Sequence, residues 1–406
     1  MIKPQTLKGF RDFLPTEARK RQYVINTLRK VFESYGFEPL ETPALETLDL
    51  LKGKYGEEEK LIYSFKTRGE REVALRYDQT VPLARIVSQY PQLPKPFKRY
   101  QIQNVWRGER PQKGRYREFI QCDADTVGSN SPIADAEIIS LVLSIYRRFG
   151  LDVIIKINDR ENFSGLDKKY VSAIDKLEKI GESAVLSEMV EKGMADKDAK
   201  EALSKLQNKE LTENLKKILE VLKKMGVDMS KIKYEPTLAR GFGYYTGMIF
   251  ETVAKGSSGS ICSGGRWDKM IGNFSGKDLP AVGFGLGFDR TIEVLEEQNL
   301  IPNLPSSAKV LVTIFPASPQ GGSKELRDQA INCTTALRSA EVPTELYLDE
   351  NAKMEKQLKY ADTKQIPYVL IIGPDEASKN MVTLRNMKTR EQKTIKAQGL
   401  INEIAR

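Results

Sequence analysis

The chain has 406 residues, 40% of them hydrophobic, enough to bury a full core and long enough for two or three domains. With 64 Lys and Arg against 55 Asp and Glu, the formal charge is +9; this suits a polyanionic partner, although many basic proteins have none. Histidine is absent, which excludes an imidazole base, a His metal ligand, the Ser-His-Asp hydrolases and the zincins together.

The opening Met1-Ile2-Lys3-Pro4-Gln5-Thr6 lacks the apolar core of a secretion signal, and no later stretch approaches the roughly 20 apolar residues of a membrane span. A cytoplasmic protein without membrane attachment is expected. Residues 16 to 36 place Ala18, Val24, Ile25, Leu28, Val31 and Phe32 at helical spacing and end at Gly36, predicting one long amphipathic helix. The following Phe37-Glu38-Pro39-Leu40-Glu41-Thr42-Pro43 is extended, and its prolines confine it to a border or an interface. Residues 62 to 66, 72 to 76, 97 to 106 and 116 to 126 read as strands of an antiparallel sheet, followed by a helix at 132 to 149. From 165 to 230 the text becomes Lys/Glu-rich amphipathic helix, the pattern of an inserted helical subdomain. Strand patterns resume at 246 to 254 and at 281 to 287, the latter running into a helix from Phe288 to Leu295. Ile301 to Ser307 is turn-rich and aperiodic, a linker between a core of residues 1–300 and a second domain of residues 308–406. In that domain, strands at Lys309 to Phe315, Thr344 to Leu348 and Tyr368 to Ile372 alternate with helices at 324 to 340 and 353 to 364. The alternation predicts a small α/β domain with mainly parallel strands. Cys122, Cys262 and Cys333 are far apart and form no C-x-x-C, so neither a disulfide framework nor a dedicated metal site is expected.

Three segments carry chemistry. Between Phe97 and Phe119, two β-rich arms flank a turn holding Arg107, Arg110, Gln112, Lys113, Arg115 and Arg117. A guanidinium on a sheet grips a phosphate bidentately, and a cationic loop reaches a nucleic-acid end, although a solvated basic hairpin would read the same in isolation. Gly283, Gly285 and Gly287 lead to Arg290; glycines in a strand admit a ligand or another backbone, but the third glycine of a dinucleotide fingerprint is missing. Leu238 to Gly247 sets Arg240 and the pair Tyr244-Tyr245 among glycines, where flat rings with hydroxyls suit a heteroaromatic ligand group; a tyrosine pair alone is more often core.

Together and in this order, these segments resemble those of class II aminoacyl-tRNA synthetases. The stretch through Pro43 looks like the dimer-forming first motif, Arg107 to Phe119 like the second, and Gly285-Leu286-Gly287-Phe288-Asp289-Arg290 like the third. Lys8-Gly9-Phe10-Arg11-Asp12-Phe13-Leu14-Pro15, Glu109 to Arg117 and Arg240 to Tyr245 are similar to segments of the histidyl-tRNA synthetase family, and the likeness spans essentially the whole chain. The resemblance implies an α+β fold: an antiparallel sheet flanked by helices, with a helical insertion and an anticodon-binding α/β domain at 308–406. It implies activation of histidine by ATP with Mg2+ bound alongside the nucleotide, transfer of the histidyl group to the 3′ end of tRNA(His), and a homodimer formed through the first motif. Arg107 would hold the α-phosphate, Glu109 and Arg115 the rest of the nucleotide, Phe119 the adenine, and Arg290 the γ-phosphate. Asp78, Thr80 and Gln121 would bind the ammonium of histidine and Asp125 with Tyr245 its imidazole, with Arg107, Arg240 and Tyr244 completing the amino-acid set. Arg240 would also meet charge growing at the α-phosphate, making it catalytic with Arg107 and Arg290, while Arg110 and Gln112 would meet the tRNA acceptor end. Two positions depart from the family pattern: Gly243 stands where Asp is usual, and Arg266-Trp267-Asp268 where Arg-Tyr-Asp is common, so both bear on the amino-acid pocket. A histidine-binding regulatory subunit, or an RNA-binding pseudo-enzyme without charging activity, is the alternative; the cations of the second motif and the C-terminal domain, both present, weigh against it.

Overall fold

A computed structural model describes residues 2–53, 56–111, 114–240, 245–256, 259–316 and 324–405. The chain divides into two compact units, Met1–Pro302 and Asn303–Arg406.

The first unit opens with the helix Pro15–Ser34, whose Val24, Leu28, Val31 and Phe32 form the buried stripe foreseen from their spacing. Its strands are β1 (Glu38–Pro39), β2 (Leu45–Thr47), β3 (Ser64–Lys66), β4 (Glu72–Leu75), β5 (Phe97–Trp106), β6 (Glu118–Val127), β7 (Val153–Asp159), β8 (Ile232–Tyr234), β9 (Met248–Ala254), β10 (Ser260–Arg266) and β11 (Ala281–Gly287). Eight of them form one sheet in the order β1-β5-β6-β11-β10-β9-β7-β8, antiparallel except for parallel pairing at its two borders, β1 with β5 and β7 with β8. The proline-bearing segment is thus a two-residue border strand. The strands expected at 62–66 and 72–76 do not extend this sheet; as β3 and β4 they form a separate three-stranded sheet with β2. Only three and four residues long, with every residue of β3 exposed, they bury just Ala74, and that against Leu51 and Val81 rather than in the main core.

The helix Pro132–Phe149 is closed at both ends by local chemistry. The Ser131 hydroxyl accepts from the Ile133 amide, and Gly150 takes a left-handed conformation at φ +73°. It packs with Pro15–Ser34 and Glu213–Lys224 over Cys122, Ala124, Val282, Phe284 and Leu286, so the main core lies on one face of the sheet. The opposite face of β6 and β11 carries the site. Between β7 and β8 lies the helical insertion. Three of its helices, Lys168–Ile174, Glu182–Glu191 and Asp196–Gln207, build a second small core that also takes in Leu238, Ala239 and Ile249 of the sheet-bearing body.

In the second unit, β12 (Val310–Val312), β13 (Thr344–Leu346), β14 (Tyr368–Ile371), β15 (Met381–Asn386) and β16 (Gln392–Lys396) form a sheet in the order β13-β12-β14-β15-β16. The helices Lys324–Ser339 and Met354–Thr363 connect its parallel strands β12, β13 and β14. The expectation of mainly parallel strands is corrected by the hairpin β15–β16, which pairs antiparallel to β14. Gln392–Lys396 is almost wholly exposed and polar, so no apolar alternation announced it.

Candidate active site

Side chains alternate across a strand, so Gln121, Asp123 and Asp125 of β6 share the face opposite Cys122 and Ala124. Across β11 their register partners are Gly287, Gly285 and Gly283, and across β5 they are Gln103, Gln101 and Arg99. Three polar side chains thus lie beside a strip of sheet that carries none. Over this strip opens a cleft of about 500 Å3, within the range of small-molecule sites.

At the inner end, Asp123 and Asp125 are 3% and 4% exposed, and Arg99 is 0% exposed. Arg99 Nη2 lies 2.7 Å from Asp125 Oδ2, and the indole N–H of Trp267 donates to the same carboxylate. Trp267 is fixed in turn by its neighbours. Arg266 Nε donates to Asp135 at 3.0 Å and its Nη1 to the Ser129 carbonyl at 3.0 Å, while the indole packs against Leu83, Val87 and Ile271. Asp123 Oδ2 accepts from Gln121 Nε2 at 2.8 Å. Burial pushes both carboxyls up, Asp123 to about 7 and Asp125 to about 6, against the downward pull of Arg99.

Four cations line the outer part of the cleft. Arg107 donates to the Tyr77 carbonyl at 3.1 Å and to Gln121 Oε1 at 3.2 Å, with its guanidinium 5.2 Å from the centre of the Phe119 ring. Arg240 pairs with the buried Glu251 at 2.8 Å. Arg290 donates to the Ser260 carbonyl at 2.7 Å, and the largely exposed Arg115 lies 3.6 Å from Glu109. Three of these guanidiniums are therefore oriented by protein partners before any anion arrives, the condition under which fixed charge stabilises a reacting group most effectively.

The cleft brings together Thr80, Arg107, Glu109, Arg115, Phe119, Gln121, Asp125, Arg240, Tyr245 and Arg290, drawn from segments more than 200 residues apart in sequence. Asp78 is not in its lining. It accepts from the Val81 amide at 3.1 Å at the start of the helix Thr80–Gln89, close enough for its charge to raise both buried aspartates. Arg110 is exposed on the turn between β5 and β6 and does not line the cleft. Gln112 and Tyr244 lie outside the described residues, as does Gly243. Sequence reasoning assigned no role to Arg99, Asp123 or Glu251. The signal was available for Asp123, since Gln121-Cys122-Asp123-Ala124-Asp125 alternates polar and apolar, whereas nothing in the text separated Arg99 from the other cations of the hairpin. Among the described residues, no group of three or more Cys, Asp or Glu side chains is arranged to hold a metal ion, and no helix is long and apolar enough to cross a membrane.

A family profile described as Histidyl-tRNA synthetase matches residues 9–291, and one described as Anticodon binding domain matches residues 311–406. The chain is 41% identical to a histidine–tRNA ligase of Christiangramia forsetii, with 98% of each chain covered, and 40% identical to one of Gloeobacter violaceus, with 96% of each covered. The crystal structure of histidyl-tRNA synthetase from a Nostoc species superposes with a TM-score of 0.86 at 30% identity, covering 100% of this chain and 99% of that one. Fold and site define a class II aminoacyl-tRNA synthetase. Within that class the chain belongs to the histidyl-tRNA synthetase family, and it is a ligase.

Proposed function

We propose that this chain activates histidine with ATP and transfers it to the 3′ end of tRNA(His), using the cleft above β6 and β11. The observation that carries the reading is that Arg107, Arg240 and Arg290, from three distant segments, line one cleft whose inner end holds Asp125 and Tyr245. The donor set fits the ligands: guanidiniums for phosphates, the Phe119 ring for the adenine, a carboxylate and a phenol for an imidazole. Glu109 and Arg115, paired at the mouth, are assigned to the nucleotide, and Asp78, Thr80 and Gln121 to the ammonium group. Magnesium bound with ATP would neutralise phosphate charge.

In the first step a carboxylate oxygen of histidine bonds to the α-phosphorus, the bond to the bridging oxygen breaks, and pyrophosphate leaves. Arg107 and Arg240 face the phosphorus from opposite sides, where negative charge grows. In the second step the tRNA 3′-hydroxyl attacks the histidyl carbonyl and AMP departs. The hydroxyl proton passes to a phosphate oxygen of the leaving AMP, so a chain without histidine needs no side-chain base. Catalysis is then positioning and electrostatics. Arg110 and Gln112 are assigned to the acceptor end of the tRNA, and the α/β domain at 308–406, beyond the linker 301–307, to the anticodon. Dimerisation through the segment ending at Pro43 is supported by the border position of β1 and by exposed Leu45, two residues further on, with exposed Phe65 on the same small sheet. We assign the enzyme to the cytoplasm, where ATP, histidine and tRNA are available.

Arg240→Ala is expected to reduce ATP–pyrophosphate exchange to near background; a near-normal rate would remove Arg240 from the mechanism. Charging assays over several amino acids and tRNAs separate this reading from a regulatory subunit, which would bind histidine and charge nothing.

A further inference from the structure

The pocket holds one more buried acid than the proposed reading uses. Asp123 lies between Gln121 and Asp125 on the same strand face, 3% exposed, and belongs to the lining of the cleft. Its Oδ2 is taken by the Gln121 amide, but its Oδ1 has no hydrogen-bond donor among the described residues and leans toward Gly285, 3.2 Å from where a Cβ would stand. A buried acceptor without a donor is costly, and one aimed into a cavity is poised for a ligand's N–H.

The charges around it do not balance. Arg99 from β5 is the only guanidinium against this carboxylate pair among the described residues, and it contacts Asp125. Gln101, opposite Asp123 on β5, is neutral, and so is Gln121. Cys262 of β10 lies on the core face of the sheet beside Leu286 and Cys122, and its thiol is pushed up by burial and then by the charge of Asp123, so it stays protonated. Asp78, ahead of the helix Thr80–Gln89, adds negative charge, which the proposed reading gives to the substrate ammonium. Arg107 and Arg240 are engaged by Gln121 and Glu251. When both carboxyls are ionised, one negative charge is left over beside the place assigned to the imidazole.

We propose that Asp123 is a second acidic determinant of the amino-acid pocket, and that Asp123 and Asp125 together bind the substrate ring as imidazolium, Asp123 taking the ring nitrogen that the reading above gives to the Tyr245 phenol. The inference rests on the reading that this pocket takes histidine. Residues two apart on a strand are about 7 Å apart, a spacing that brackets a five-membered ring with hydrogen bonds of about 2.8 Å to its two N–H groups. A neutral imidazole has one N–H and one bare nitrogen, so it matches both acids only while one carboxyl keeps its proton and donates to that nitrogen; two ionised carboxylates require imidazolium. The protons balance: below about pH 7 burial keeps a proton on the carboxyl pair of the free enzyme and on binding it moves to the ring nitrogen, whereas above that pH the ring takes a proton from water on binding; either way two carboxylates, one guanidinium and one imidazolium result.

The direct test uses the wild-type protein with ring-15N-labelled histidine at about pH 8, where free imidazole is neutral. Both ring nitrogens of the bound ligand should show protonated-nitrogen resonances; one protonated and one bare nitrogen would overturn the proposal. The second arm compares histidine with an analogue bearing a weakly basic triazole ring in ATP–pyrophosphate exchange. Asp123→Asn should lower kcat/KM for histidine roughly tenfold more than for the analogue. Equal losses for both would reduce Asp123 to a structural residue and overturn the proposal as well. Absence of histidine-dependent exchange in the wild type would strike the parent reading instead, and this inference with it.

Discussion

Replacing Gly283 with alanine tests whether the bare strip on β11 is the seat of the amino-acid pocket. The added Cβ would lie 2.0 Å from Asp125 Oδ1, 2.5 Å from Asp125 Cγ and 2.6 Å from the Ala124 carbonyl oxygen. The Ala124 carbonyl is sheet backbone, and Asp125 is tied to Arg99 at 2.7 Å and to the Trp267 indole, so neither yields freely. Overpacking of this kind costs about 1–3 kcal/mol, and displacing Asp125 forfeits a charged hydrogen bond to substrate worth about 1.5–3 kcal/mol. At 1.4 kcal/mol per factor of ten, kcat/KM for histidine in pyrophosphate exchange should fall about 100-fold. The KM for ATP, whose assigned contacts lie toward Arg107, Arg115 and Arg290, should stay within about threefold, a change below 1 kcal/mol. Gly285→Ala is the internal control, because its Cβ meets one contact, Asp123 Oδ1 at 3.2 Å, which a small shift relieves. Its loss should be about tenfold or less. A Gly285 variant as damaged as the Gly283 variant would refute the steric argument.

Arg99→Leu leaves two buried carboxylates without a counter-ion and should destabilise the first unit by about 3–5 kcal/mol in denaturant titrations; a change below about 1 kcal/mol would mean that the pair sits protonated whenever the chain is folded. Trp267→Phe keeps a ring in the Leu83–Ile271 pocket but removes the donor to Asp125, so the histidine KM should rise about fivefold to tenfold, and an unchanged KM would exclude the indole from substrate binding. Asp123→Asn also has a pH signature in stability. The folded carboxyl titrates near 7 and an unfolded aspartate near 3.9, so the native state holds the extra proton and wild-type stability falls as pH rises between those values. The variant should therefore be the more stable protein above pH 7, its advantage shrinking toward pH 4; melting curves showing the opposite slope would overturn the burial argument.

Much of this molecule could be read from its residues. The amphipathic helices announced themselves because Val24, Leu28 and Phe32, or Leu215, Ile218 and Leu222, recur at the helical period and are buried there. The long arms 97–106 and 118–127 were legible because each combines β formers with a turn of unmistakable chemistry. What failed was partnership. Nothing local says that Ser64–Lys66 pairs with Glu72–Leu75 away from the main sheet, or that β8 closes its far border in parallel with a strand more than 70 residues upstream. The strand Ser260–Arg266 is not among those read from the sequence; a Cβ on Gly264 or Gly265 would fall within 2.6 Å of neighbouring backbone oxygens, so only glycine permits it. In the site, residue types suggested ligands, but the Arg99–Asp125 pair exists only because β5 and β6 align those two positions. Trp267, visible beforehand only as a departure from pattern, proves to be a hydrogen-bond donor to that same carboxylate.

The small core of the helical insertion has a mechanical consequence. Leu238 and Ala239 are buried in it, and the next residue is Arg240. The guanidinium that faces one side of the cleft is thus carried by residues rooted in the small core of the helical insertion. The anchorage of Arg240 against Glu251 therefore draws on the packing of Lys168–Gln207 as well as on the sheet.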